Sequence, residues 1–208
     1  MEKNILYIHG MGGGGDSRIP RLLRSSLAER GICVICRTYD FDPETGYSQI
    51  QGWVEELAPV LVIGESLGAI QALRVKKIPH LFVSPALGGP DRLYHFAWLT
   101  LLPGGSWALH RKFRVKEGDR QRLVFRFRVL RRYRAHWEAA AASVEPDGFY
   151  YAFFGRYDHY KRSGVVNVDT WRKMFGNSFQ EYDGTHFMEE EYVDSMLIPK
   201  ILSLVDPA

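Results

Sequence analysis

A chain of 208 residues, 46% hydrophobic and 25% charged, has the length and composition to bury one full-sized core. Its apolar runs, Phe96 to Leu102 the longest, fall far short of the 18 or more residues of a membrane span, and no secretory leader is visible before the first apolar segment. The net charge of +3 is unevenly spread: residues 111–134 hold eleven Lys/Arg against Glu117 and Asp119, a local charge of +9, which leaves −6 for the rest.

Ile5 to Ile8 reads as a buried strand that runs into His9-Gly10-Met11-Gly12-Gly13-Gly14-Gly15. A helix follows, with Ser17 placed as its N-cap and Pro20 in the tolerated first turn. Ile19, Leu22, Leu23 and Leu27 form its apolar stripe, and Gly31 stops it. Ile32 to Cys36 is a second continuous apolar strand. Cys33 and Cys36 lie three apart in that strand and so face opposite ways, which disfavours a disulfide or a shared metal. Two free thiols suit a reducing compartment, and the cytoplasm is the expected location.

Thr38 to Gly46 is expected to be a loop and Tyr47 to Leu57 a helix with Ile50, Trp53, Val54 and Leu57 inward. The third strand, Val60 to Ile63, opens through Gly64-Glu65-Ser66-Leu67-Gly68 into a helix that stops before Pro79. His80 to Val83 is the fourth strand. Residues 88–118, rich in Gly, Pro and aromatics, break the rhythm and look like a cap or lid. Asp119 to Ser143 reads as a helix, although Phe125 to Val129 also fits strand alternation. Phe149 to Phe154, the helix Val168 to Phe175, Ser178 to Tyr182 and a last helix Glu189 to Leu204, kinked or restarted at Pro199, complete the chain. Regular alternation of strands and helices predicts an α/β fold with a doubly wound, mostly parallel six-stranded sheet. Ligands of such sheets bind at the carboxyl ends of the strands.

The chemistry concentrates at those ends. Gly-x-Ser-x-Gly between a buried strand and a helix is the context of a nucleophile elbow, a tight turn that lifts a serine clear of the sheet. Ser66 is therefore the candidate nucleophile. A serine needs a base within hydrogen-bond reach and a group to orient that base. His186, after the last strand, is the best-placed base, and Asp158, just past strand five, the best-placed acid, with Asp169 (a helix N-cap candidate) and Asp183 as rivals. The order Ser66, Asp158, His186 is that of one hydrolase lineage. The amide of Leu67, following the nucleophile, and that of Met11, in the loop after strand one, are the candidate oxyanion donors.

A competing reading exists for the glycines. Gly10-Met11-Gly12-Gly13-Gly14-Gly15 satisfies G-x-G-x-x-G between a strand and a helix, as a dinucleotide site would. Against it, the acid that should close strand two is missing, since Asp40 falls several residues late.

His9-Gly10-Met11-Gly12, Gly64 to Gly68, Gly155 to Asp158 and Gly184-Thr185-His186 together resemble the α/β-hydrolase superfamily, most nearly its small bacterial YqiA-like serine esterases. The resemblance runs from residue 5 to about 204. It implies a minimal α/β-hydrolase fold in a single domain, residues 1–208, to which the broken rhythm of the sequence adds a lid insertion at about 88–137. It also implies a cofactor-free serine hydrolase acting on an ester, thioester or related acyl bond of a small molecule. Ser66, Asp158 and His186 would form the triad, and the Met11 and Leu67 amides the oxyanion hole.

Residues 88–137 are longer and more basic than a minimal member needs. Tyr94, Phe96, Trp98, Leu99, Leu101 and Leu102, with Trp98 and Leu99 foremost, either line an acyl pocket beside His9, Gly10 and Gly12 or pack the segment onto the body; its aromatics are also a candidate homodimer surface. The arginines either form a solvated helix face or attract an anionic substrate, lipid surface or nucleic acid. If the latter were the whole function, the protein would be a non-catalytic anion- or partner-binding module on a hydrolase scaffold, using residues 111–134.

Overall fold

The computed structural model describes residues 3–206. Six strands, β1 (Lys3–Ile8), β2 (Ile32–Ile35), β3 (Leu61–Glu65), β4 (His80–Val83), β5 (Tyr150–Gly155) and β6 (Phe179–Tyr182), form one parallel sheet in the order β2-β1-β3-β4-β5-β6. Alternate residues enter opposite cores. Leu6, Ile8, Val62, Phe82, Ala152 and Phe154 pack on one face; Ile5, Tyr7, Ile63, Leu81, Val83 and Phe153 pack on the other. Burial on both faces is why these strands read as unbroken apolar runs.

Helices α1 (Arg18–Leu27) and α9 (Ile198–Val205) cover the second face with Leu23, Leu27, Ile201 and Val205. The first face is covered by α2 (Pro43–Leu57), α3 (Gly68–Ala72), α6 (Phe127–Ala142) and α7 (Val168–Phe175). Between β4 and α6 stand α4 (Gly89–Leu99) and α5 (Gly105–Lys112). No helix of the described residues is long and apolar enough to cross a membrane.

Several elements differ from expectation, each for a local reason. Helix α2 begins four residues early, because Asp42 caps it by accepting from the Glu44 amide at 3.1 Å and Pro43 occupies its first turn. Helix α3 lasts only five residues. Ser17 holds the N-cap position of α1 but does not cap it: its hydroxyl accepts from the Gly14 amide and Arg120 Nη1, both at 3.0 Å. Asn167, not Asp169, caps α7. The last helix is a short α8 (Glu190–Tyr192), a π turn (Val193–Leu197) and then α9, so the break precedes Pro199, which sits in the first turn of α9. Both cysteines are free, and burial pushes the Cys36 thiol up to about 12.

The largest departure is at residues 119–126, expected to be helical and found without regular structure; α6 starts only at Phe127. This stretch is claimed by the glycine run after β1. The Gln121 amide donates to Gly13 O at 2.7 Å, Gln121 Oε1 accepts from the Gly12 amide at 3.2 Å, and Arg120 pairs with Asp16 at 2.9 Å. A Cβ on Gly14 would stand 1.7 Å from Asp119 O, and one on Gly15 would stand 2.3 Å from Asp119 Oδ2. The glycines thus seat another stretch of chain, where a dinucleotide site would need them open to a diphosphate.

Three histidines are buried and held neutral. His80 stacks between Phe82 and Tyr150 and donates from Nε2 to Ala72 O at 3.0 Å. His136, on α6, accepts from Arg74 at Nδ1 (2.9 Å) and donates to Gln71 Oε1 (3.0 Å). His9 stacks on Tyr39. Burial is the first cause that lowers each of them to about 4, and for His136 the Arg74 cation adds to it. An unfolded histidine titrates near 6.5, so between about 6.5 and 4 the unfolded chain binds protons that the native one refuses. The melting temperature should therefore fall as pH drops through that window; a flat profile from calorimetry would contradict the burial argument. A second expectation concerns the glycine seat. Gly14→Ala should free residues 113–126 and speed limited tryptic cleavage there, and an unchanged cleavage rate would mean the loop is held elsewhere.

Candidate active site

The sheet order reverses at β1, whose neighbours β2 and β3 carry the chain off in opposite directions, and a crevice opens at the carboxyl ends of β1 and β3. The register pairs Ile8 with Gly64, so His9-Gly10-Met11 emerges beside Glu65-Ser66. There is little room between the two turns. A Cβ on Gly68 would lie 2.4 Å from His9 O, one on Gly64 2.8 Å from the Ala72 side chain, and one on Gly10 2.9 Å from Ser66 Cβ.

Ser66 holds φ +50°, a strained conformation for any residue but glycine. Neighbouring backbone supports it: the Ser66 amide donates to Val83 O at 2.9 Å, and its carbonyl accepts from the Ala86 amide at 3.0 Å. Ser66 Oγ lies 2.8 Å from His186 Nε2, and His186 Nδ1 lies 2.7 Å from Asp158 Oδ2. Asp158 and His186 are 3% and 2% exposed. The other carboxylate oxygen, Asp158 Oδ1, accepts from the Tyr160 amide at 2.8 Å, which fixes the carboxylate's plane. With Asp158 accepting, Nδ1 of a neutral His186 carries the proton and Nε2 is left to accept from the serine.

His186 reaches Ser66 from β6, three strands away. Its loop crosses the end of β5 where Gly155 leaves space, since a Cβ there would stand 2.1 Å from Thr185 O. Tyr157 N–H donates to Gly184 O at 2.9 Å, Tyr182 Oη to Thr185 O at 3.0 Å, and Glu189 accepts from the Thr185 amide and hydroxyl. Tyr160 sets its ring edge-on to His186, centroids 4.6 Å apart.

Met11 and Leu67 flank Ser66 on the cavity wall, and neither backbone amide donates to another group among the described residues. They are free to receive a developing negative charge.

A cavity of about 1070 Å³ opens over Ser66. Gly10 and Gly12 line it, as expected from the sequence. His9 is fully buried behind it, donating from Nδ1 to Gly10 O at 2.8 Å, and has no face on the cavity. Trp98 and Leu99 also lie outside the lining, 51% and 44% exposed, with Trp98 edge-on to Phe127. Helix α4 turns these two outward and sends Leu93 and Phe96 in. Of the six candidates only Phe96 lines the cavity; bulk alone did not separate the two faces of the helix.

Two further residues were not singled out. Glu65 lines the cavity beside Ser66 and accepts from the Tyr7 hydroxyl at 2.9 Å; burial raises its carboxyl above the usual range, against the opposing pull of that hydrogen bond. Its place inside the Gly-x-Ser-x-Gly motif was the available signal. Tyr160 had none, because only the turn after Asp158 brings it to His186. Among the described residues no three His, Cys, Asp or Glu side chains are grouped to hold a metal.

Comparisons with known proteins follow the same lines. A family model described as the alpha/beta hydrolase family matches residues 5–190. The comparison with curated proteins gave no match. Among solved structures, Est1E from Butyrivibrio proteoclasticus, solved with ferulic acid bound, superposes with TM-score 0.65 at 15% identity, covering 98% of this chain and 89% of its own. A carboxylesterase structure from the thaumarchaeon Nitrososphaera gargenis gives 0.57 at 14%, covering 97% and 91%. FphF, a fluorophosphonate-binding serine hydrolase of Staphylococcus aureus, gives 0.57 at 13%, covering 98% and 84%. At these identities the likeness is one of fold. With the family model spanning nearly the whole chain and the sheet, elbow and strand-end loops arranged as described, the protein belongs to the alpha/beta hydrolase family.

Proposed function

We propose that the protein is a serine hydrolase that cleaves an ester, thioester or related acyl bond of a small molecule, without a cofactor. The observation that carries this reading is the unbroken chain of hydrogen bonds from Ser66 Oγ to His186 Nε2 (2.8 Å) and from His186 Nδ1 to Asp158 Oδ2 (2.7 Å), at the floor of a cavity. Every separation is within reach for proton transfer.

In this mechanism Ser66 Oγ attacks the acyl carbon as His186 Nε2 takes its proton. Asp158 keeps the proton on Nδ1 and stabilises the imidazolium that forms. The Met11 and Leu67 amides hold the oxyanion, each such donor contributing roughly 3–4 kcal/mol elsewhere. His186 then protonates the leaving group, and the acyl-enzyme is hydrolysed when His186 draws a proton from water. Because Asp158 and His186 are almost fully buried, neither spends its hydrogen bonds on solvent.

Ser66→Ala should abolish turnover of p-nitrophenyl butyrate while leaving the circular dichroism spectrum and melting temperature close to those of the parent; undiminished turnover would remove Ser66 from the reaction. A fluorophosphonate probe should label the folded protein at Ser66, located by mass mapping. Asp158→Asn should lower kcat by about three orders of magnitude, since an amide cannot hold Nδ1 in its protonated form. A loss of less than tenfold would assign the orienting role to another group.

A further inference from the structure

The local charge of +9 in residues 111–134 is not one surface. On α6 three arginines have partners within the chain: Arg132 pairs with Asp42 at 2.5 Å, Arg134 lies 3.8 and 3.9 Å from Asp91 and Glu138, and Arg131 lies over the rings of Tyr94 and Phe127. The other half of the segment behaves differently. Lys112, Arg114 and Lys116 line the cavity over Ser66, and none of them is within ion-pair distance of a carboxylate among the described residues.

Their placement follows from the packing. The Lys112 ammonium lies 5.4 Å from the Phe96 ring centroid and 5.5 Å from that of Phe113, so its stem runs along the cavity's apolar wall. Val115, between Arg114 and Lys116, sits over the oxyanion loop: a Cβ on Gly12 would meet its Cγ2 at 3.4 Å. Arg92, which donates to Ser163 O, lines the same cavity from α4. Among the described residues the one carboxylate in the lining is that of Glu65, partly buried beside Ser66 and accepting from the Tyr7 hydroxyl. Leu93, Phe96, Leu123 and Val165 supply an apolar lining. The cavity therefore combines an apolar wall with three cations, Lys112, Arg114 and Lys116, that no carboxylate among the described residues pairs.

From this we infer that the substrate is an acyl ester that itself carries an anionic group, a carboxylate or phosphate, held by Lys112, Arg114 and Lys116 while its acyl carbon lies at Ser66. The inference rests on the serine-hydrolase reading of the site. The anion belongs either to the acyl part or to the leaving group, and matched ester pairs separate the two. Unpaired cations around one cavity raise the local concentration of an anionic ligand and speed its capture, an effect that salt weakens.

The experiment compares 4-nitrophenyl hemiglutarate with 4-nitrophenyl valerate, equal in chain length and leaving group, and 4-valeryloxybenzoate with its methyl ester. Each kcat/KM is divided by the ester's own hydroxide-catalysed rate. At least one pair should show about a tenfold preference for the anionic member at low ionic strength, residing mainly in KM. That preference should fall towards one at about 0.5 M salt, where screening shortens to a few ångströms. It should also fall towards one in Lys112→Gln/Arg114→Gln/Lys116→Gln, and persist in Arg126→Gln/Arg128→Gln, whose side chains are exposed and outside the cavity lining. Ser66-dependent turnover of valerate with no anionic preference in either pair overturns this inference alone. Absence of turnover for all four esters overturns the serine-hydrolase reading with it. A preference that survives the triple substitution would assign the anion to other residues and also overturn it.

Discussion

Everything in the site depends on how closely the backbones leaving β1 and β3 approach each other. Parallel pairing brings Ile8 beside Gly64, and the turn that follows presses Gly68 against the Ile8 and His9 carbonyls. A side chain at Gly68 would need space already filled by peptide groups, so the two loops can be this close only with glycine there. The closeness brings Met11, Ser66 and Leu67 to the wall of one cavity. The strain at Ser66 is carried by hydrogen bonds from β4, so the sheet and not the loop bears the cost of the turn.

The base travels furthest. Ser66, Asp158 and His186 come from the ends of β3, β5 and β6, and no two are neighbours in the chain. A loop that must deliver an imidazole across two strand ends would lose precision if left to itself. Here it is tied by backbone and side-chain bonds at Gly184 and Thr185, with Gly155 giving it a channel. Tyr160 completes the support from both sides, its amide on the carboxylate and its ring against the imidazole. Preorganisation of this kind is what lets a hydrogen-bonded pair act without rearranging during the reaction.

The segment between β4 and β5 has two physical tasks, and its charge divides along them. Helix α6 binds the body through Tyr133, which donates to Phe41 O, and through His136 in its network with Gln71 and Arg74. The stretch before it, residues 112–121, forms a cavity wall seated on the glycines after β1. A basic segment that looks uniform in sequence thus has some cations paired within the chain, some lining the cavity over Ser66, and others, Arg126 and Arg128 among them, exposed outside it. The large exposed side chains Trp98, Leu101, Leu102 and Trp107 stand outside this wall.

Much was legible in the sequence because the determining signals are local. Strands buried on both faces must be apolar without interruption, an elbow must have glycine on either side of its serine, and parallel strands force every loop of one sense to the same sheet edge. Those constraints were enough for the six strands, their class and the residues Ser66, Asp158 and His186. Other features were decided between distant parts of the chain. The stretch 119–126 reads as helix but its first residues are held against the glycine run, and α4 turns Leu93 and Phe96 inward while Trp98 and Leu99 stay outside the lining. Helix propensity and bulk belong to single residues, whereas which face meets the body depends on partners elsewhere in the chain. The sequence by itself determined the fold class, because burial of strands on both faces follows from short-range sterics, and it put the candidate groups Ser66, Asp158 and His186 at the same edge of the sheet. Only the tertiary structure decided what encloses them, because a cavity wall exists only where separate elements meet.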